Sequence, residues 1–539
     1  MAYDIVFTGG TVIDGTGRPA FPADVAVTGD RIVAVGDLDG EAAHRRIDVR
    51  GKTLAPGFID IHSHSDWSIL ANPEAKSSIR QGVTTEIMGN CGFSFAPTDD
   101  VEKIRPLVPV YLRDLVELNW KSFDEYLREI ERHRPAINVI HLVGHHALRL
   151  TAIGFEARPP TADEQEAMER ALRRALEEGG IGVSFGLEYT PGVNATYDEM
   201  LGLARVAADL GAIVTIHMRN QDDGYIDAIN ESLNMTRSTG VRLQISHIPP
   251  HIGNPLDDWS RALALVEEEI RNGHSVGFDA HPYLWGGTLL TRALPAWAFN
   301  GGTEALLQRL RDPAMRQTMK DDPDKTLRSF ETGDWDHSIV TYVKRRREVI
   351  GKTLTEIAAE MGHDDPYDAV FDILLGEGED LFGALFVTEL IEPEIQHDIL
   401  CHPLTIIESD GMTLATDGPL RNVGWHPRCF GWTARLLGEH VRARNLLSLE
   451  EAIHKITLKA AERFKIAERG VVKAGCFADI VVFDAQTITD VATYRQPNQY
   501  PSGIEYVLVN GDIAIEQGKE TAERGGRILR YRAAERVVG

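Results

Sequence analysis

His62 and His64 stand one residue apart where the apolar run GFIDI ends. Side chains of extended chain repeat every second residue, so both imidazoles face the same way. The pair alone leaves two readings open, histidines on a surface loop or two ligands of one metal ion. Four further residues of ligand type also follow strand-like apolar runs: Cys91 after VTTEIMGN, His217 ending AIVTIH, His247 ending VRLQISH and Asp410 ending LTIIESD. Imidazoles, a thiolate and a carboxylate together suit zinc. Zinc polarises a carbonyl and makes water a usable nucleophile near neutral pH. An amide nitrogen needs a proton before it departs, so this chemistry also requires an acid/base group beside the metal. Asp410 is the candidate, with a purely ligating role as its alternative. Asp417, in ATDGP, competes with it, but Asp410 closes LTIIESD just past the apolar run LTII, whereas Asp417 follows a turn-like stretch.

Residues so far apart in sequence need a framework that brings strand ends together. Eight apolar, β-branched runs alternate with amphipathic helical patterns: GFIDIH, VTTEIMGN, INVIHLVG, IGVSFGL, AIVTIH, VRLQISH, SVGFDA and LTIIESD. Buried strands alternating with helices imply a parallel sheet, and eight of them favour a (β/α)8 TIM-type barrel, whose active sites lie at the C-terminal strand ends. Thr161-x-x-Glu164 and Thr196-x-x-Glu199 have capping-box form. After the first, Met168, Ala171, Leu172, Ala175 and Leu176 make an apolar stripe. The interval 290–400 is too long for one connection and is expected to be an inserted, helical segment near the barrel mouth. Short alternating strands with Gly-Asp turns occupy 1–55 and return in 470–539. They are expected to pair into one small β-sandwich domain, because β-edges need partners, leaving 56–469 as the barrel.

The 539 residues, 43% hydrophobic and 25% charged, read as a globular chain with a large core. No apolar run approaches the roughly 18 residues of a membrane span, and the first residues lack the basic and apolar regions of a secretory signal. A net charge of −25 argues against nucleic acid or an anionic membrane as partner. Four scattered cysteines do not make a disulfide framework. A cytoplasmic protein with free thiols and a small-molecule substrate is the expectation.

GFIDIHSHSD, GVTTEIMGNCGFSFAP, GLEYTPG, TIHMRNQ, ISH, SDG and HPRCFG together resemble the amidohydrolase superfamily, specifically its D-aminoacylase (N-acyl-D-amino-acid deacylase) branch. The resemblance covers the chain outside the inserted region. It implies a zinc barrel framed by a β-sandwich, with Cys91, His217 and His247 on a tightly bound zinc. His62, His64 and Asp410 would complete a weaker or partly occupied second position. Cys91 would take the place of the bridging, carbamylated lysine of other superfamily members. The resemblance also implies that Arg428 binds a substrate carboxylate and that Tyr189 and Tyr283 line the pocket, although both tyrosines are equally compatible with simple packing. Arg219 and Asn220 would support the metal site from behind. Two stretches depart from the branch: Pro249 stands where a carboxylate-binding lysine is usual, and HPYLWGGT follows the seventh strand.

The sequence therefore predicts a zinc-dependent hydrolase of a linear amide, an N-acyl amino acid or a related, bulkier amide reaching towards Trp285. With Pro249 in place of lysine, simple N-acetyl-D-amino acids are expected to be poor substrates. A hydantoinase- or dihydroorotase-like hydrolase of cyclic amides is the alternative, disfavoured by the missing metal-bridging lysine and by GNCGFS. A non-catalytic barrel scaffold is the other, disfavoured by the complete ligand set.

Overall fold

The short strand Thr53–Pro56 joins the two ends of the chain. It runs parallel to Tyr3–Val12 and antiparallel to Ile480–Phe483, with Leu54 opposite Val12 on one side and Val482 on the other. Around it nine strands form one sheet, five preceding Gly57 and four following Asp479. Its alternating residues Phe7, Val25, Val27, Ile480, Val482 and Leu508 pack into a core of their own. The chain is described by a computed structural model over residues 2–322 and 335–532. Residues 323–334 of the expected insertion and 533–539 of the expected terminal unit lie outside the described residues.

The eight apolar runs form parallel strands: Phe58–Asp60, Val83–Met88, Asn138–His141 (resumed as Val143–Gly144), Gly182–Gly186, Ile213–His217, Arg242–Ile245, Val276–Ala280 and Thr405–Ile407. Each pairs with the next in that order. Past its end the last returns to the first. Asp410 N–H donates to the His62 carbonyl at 3.0 Å, and His64 N–H donates to the Gly411 carbonyl at 2.7 Å. Almost every residue in these strands is buried, as befits parallel strands covered on both faces.

The helices between them start where expected, with one exception. Thr161 and Glu164 form a complete capping box at Ala162–Glu177, whose buried stripe is Met168, Leu172, Ala175 and Leu176. At Tyr197–Asp209, Thr196 caps the Glu199 N–H, but the Glu199 carboxylate turns inward to buried Arg149 and His145 instead of closing the box. A buried guanidinium needs a counter-charge more than an exposed helix end needs a second cap.

The insertion is not purely helical. Trp285–Leu289, Ser338–Tyr342 and Leu385–Glu389 form a three-stranded antiparallel sheet. With the helices beside it this sheet encloses a separate apolar core that includes Leu306, Leu310, Val370, Phe371 and Phe386. The C-terminal stretch leaves the terminal sheet and lies along Asn138–His141, where Leu529 N–H donates to the Val139 carbonyl at 2.8 Å. All four cysteines are free. Among the described residues no helix is long and apolar enough to cross a membrane.

Candidate metal centre and active-site cleft

The C-terminal ends of five strands bring the six ligand-type residues into one buried cluster. His62 Nε2 lies 3.2 Å from Cys91 Sγ, which lies 3.5 Å from His247 Nε2. His247 Nε2 is 2.9 Å from His217 Nδ1. Asp410 Oδ1 is 3.2 Å from His64 Nε2 and 3.5 Å from His62 Nε2. Donor atoms of His62, Cys91, His247 and Asp410 all fall within 4.8 Å of one another. Cys91, His247 and Asp410 have φ of +52°, +31° and +45°. L-residues rarely adopt this left-handed region, and each instance costs roughly 1–3 kcal/mol. The turns directly after three strands thus hold strained residues whose side chains converge. Gly186 makes room for one of them, since a Cβ there would collide with the Cys91 carbonyl.

Electrostatics suit the cluster to a cation. Burial holds His217 and His247 well below the usual imidazole value, so both are neutral and can donate a lone pair. Burial and the nearby Asp410 and Asp279 carboxylates push the Cys91 thiol well above its usual value. A cation among these donors reverses that preference, because metal binding deprotonates a coordinating thiol outright. Burial would raise Asp410, but Arg428, 2.8 Å from its Oδ2, and then His64 and His62 hold the carboxyl well below the usual range. Behind the cluster, Glu188 Oε2 is 2.7 Å from His217 Nε2 and also pairs with Arg292. Asp279 accepts the His247 backbone N–H at 2.7 Å.

A small, half-open cleft adjoins this cluster, lined by His217, His247, Asp410, Tyr189, Pro249 and Arg292 among others. Leu390 and Ile391 of the insertion close its far wall. Tyr189 lies where the sequence places it, its ring 4.8 Å from that of His217 and its hydroxyl 3.0 Å from Thr288 Oγ1. Two further residues expected at the substrate are placed off the lining of this cleft. Arg428 is fully buried and is not among the residues that line the cleft; its Nη2 meets Asp410 and the Gly287 carbonyl and its guanidinium lies over the Trp425 ring, while Nε and Nη1 are buried without a hydrogen-bond partner. Tyr283 also lies off the cleft, donating its hydroxyl to Asp490 at 2.9 Å beneath Arg435. Trp285 stacks on Tyr494 at 4.4 Å, leaving Gly286 and Gly287 on the cleft wall. Arg219 is held by Glu231 and two carbonyls, and Asn220 caps its own loop. Asp417 is exposed and paired with Lys76, away from the cluster. Glu188, His251 and Arg292 carried no expectation. Glu188 could have been found, because it follows the IGVSFGL run just as the ligands follow theirs.

The chain matches the model of the Amidohydrolase family over residues 45–515. It is 36% identical over 535 residues to an N-acyl-D-glutamate deacylase of Alcaligenes xylosoxydans xylosoxydans, covering 98% of this chain and 97% of that protein. It is 34% identical over 536 residues to a D-aminoacylase of the same organism, covering 99% and 98%. The crystal structure of N-acyl-D-glutamate deacylase from Bordetella bronchiseptica, complexed with zinc and a phosphonate mimic of the tetrahedral intermediate, aligns with a TM-score of 0.82. Identity there is 33%, covering 98% of this chain and 100% of that one. A match across most of the chain, in sequence and in structure, makes this protein a member of the amidohydrolase family.

Proposed function

We propose that the protein is a zinc-dependent hydrolase that removes the acyl group from N-acyl-D-amino acids. The observation that carries this reading is the convergence of His62, His64, Cys91, His217, His247 and Asp410 beside an open cleft. The deacylases named above, similar over nearly the whole chain, supply the substrate class. In this reading the ring of parallel strands is a (β/α)8 barrel over about 56–469 carrying the 290–400 insertion, and the terminal sheet belongs to a β-sandwich domain formed by both ends.

Cys91, His217 and His247 would hold one zinc tightly, and His62, His64 and Asp410 would complete a second position. The donor set fits, with neutral imidazoles and a thiol beside one ionised carboxylate. Zinc held there supplies Lewis acidity to the amide carbonyl and to water. The chain's own residues do the rest. Asp410 takes a proton from the attacking water on its carboxylate and delivers it to the departing amine nitrogen, so water and amide become a carboxylic acid and an amine. Arg428 keeps Asp410 ionised and aimed. Glu188 accepts the His217 Nε2–H and so presents Nδ1 to the centre. Tyr189 and Pro249 bound the substrate. Arg292, with its five N–H donors, meets the substrate carboxylate at the cleft wall in place of the missing lysine.

The test is to incubate zinc-loaded protein with N-acyl amino acids of both hands, simple amides and cyclic imides, and to assay released amine. Turnover confined to N-acyl-D-amino acids is expected. Preferential opening of cyclic imides, or turnover unaffected by chelation, would overturn the reading.

A further inference from the structure

His62 has two faces, and only one looks onto the centre described above. Its Nε2 faces Cys91 and Asp410, whereas its Nδ1 faces the interior of the strand ring, 3.5 Å from Asp279 Oδ1. Glu408 precedes Asp410 by two residues past the last strand. One donor atom each from His62, Asp279 and Glu408 lie within 4.8 Å of one another, and all three residues are buried. Both Glu408 oxygens and His62 Nδ1 are buried without a hydrogen-bond partner. Among the described residues no ion pair reaches Glu408. Asp279 is anchored through both oxygens: Oδ1, which faces His62, also accepts the His247 backbone N–H, and Oδ2 accepts Gln244 Nε2, each at 2.7 Å. Asp60, a third buried carboxylate of this interior, is taken up by Ser409.

A fully buried carboxylate with both oxygens bare calls for a counter-charge or an unobserved partner. We propose that His62 Nδ1, Asp279 and Glu408 form an inner binding site for a divalent cation, separate from the zinc centre and beneath it. Two carboxylates are neutralised by two positive charges, and a donor set of carboxylate oxygens with one imidazole suits a hard or borderline ion of the Mn²⁺ type. A neutral imidazole has one lone pair. With Nδ1 on the inner ion, Nε2 carries the proton and donates towards Cys91. The inner ion and a second ion on His62 Nε2 therefore exclude one another, whereas the Cys91, His217 and His247 position is compatible with either. The proposal rests on the reading above only in placing a zinc on that outer side.

The inner site is sealed, so the ion must enter as the chain folds, and the probe is Mn²⁺ supplied during expression. Anomalous difference maps from crystals of the full-length protein, recorded on either side of the manganese and zinc edges, locate each metal. A manganese peak between His62 Nδ1, Asp279 and Glu408 is expected, with about one Mn²⁺ per chain by electron paramagnetic resonance. Glu408→Gln is expected to bind at least ten-fold less manganese while keeping its outer zinc. No inner peak in the wild type, or manganese retained by Glu408→Gln, overturns the inner site. Should the variant fail to fold, the wild-type map decides alone. Missing outer zinc would count against the zinc-hydrolase reading, and a missing inner peak would leave that reading intact.

Discussion

Asp410 combines three properties that a general base in amide hydrolysis needs. It lies beside the ligand cluster, lines the cleft and stays ionised because Arg428 holds its carboxyl well below the usual range. The sign follows from that lowering. Its charged form is favoured in the folded state, so its contribution to stability is complete above the unfolded value near 3.9 and is lost as pH falls through the lower folded value. Asp410→Asn keeps the shape but cannot accept the proton. Turnover is expected to fall by roughly 10²–10⁴, while zinc stays on Cys91, His217 and His247. Asp417→Asn, at an exposed ion pair with Lys76, is expected to leave the rate near wild type. A crippled Asp417→Asn beside a mild Asp410→Asn in steady-state kinetics would reverse the assignment. That Asp410 rather than Asp417 stands at the cluster was legible in the sequence, because one comes just past an apolar run and the other follows a turn. The fate of Arg428 was not. Its pairing with Asp410 depends on the three-dimensional path of the chain, which no local motif reports.

At the scale of elements, the candidate ligands are set by how strands end. Parallel strands buried on both faces read as unbroken apolar runs, so the polar residues within a few positions after each run mark the C-terminal rim. That logic places His62, Cys91, His217, His247 and Asp410, and it would have placed Glu188. What it does not reveal is the backbone needed to aim these side chains. The left-handed turn at Cys91 reaches across to the end of the Gly182–Gly186 strand, a close approach that Gly186 allows. Gly186→Ala should force the two backbones apart. Overpacking of this kind costs about 1–3 kcal/mol, and displacing Cys91 should lower bound zinc and turnover together. Metal analysis and thermal unfolding check this; full zinc with wild-type rate would mean the close approach does not matter. The half-closed cap at Thr196 escaped the sequence for a related reason. Glu199 is claimed by Arg149, far away in sequence, and a local motif cannot report that competition.

At the scale of the molecule, the cleft is a joint product of the strand ring and the insertion. The ring contributes the candidate metal ligands, Tyr189 and Pro249, while Arg292, Leu390 and Ile391 arrive on the segment between the seventh and eighth strands. This division explains why the chemistry was easier to read than the specificity. Strand periodicity announces the former, whereas a long insertion with its own core carries no periodic signal pointing at the cleft. It also changes the meaning of Pro249. Loss of a lysine there need not remove the cation, because the Arg292 guanidinium reaches the same cleft from the insertion while pairing with Glu188. If Arg292 meets the substrate carboxylate, Arg292→Met should depress kcat/KM for an N-acetyl-D-amino acid by about 10–100-fold, the 1.5–3 kcal/mol of a hydrogen bond to a charged group. The matching neutral amide should lose far less. Arg292 also touches the carboxylate that orients His217, so a merely structural role would lower both substrates equally. Paired kinetics on the carboxylate and amide substrates separate these outcomes, and equal losses would return the carboxylate partner to another residue of the cleft, with His251 the next to test.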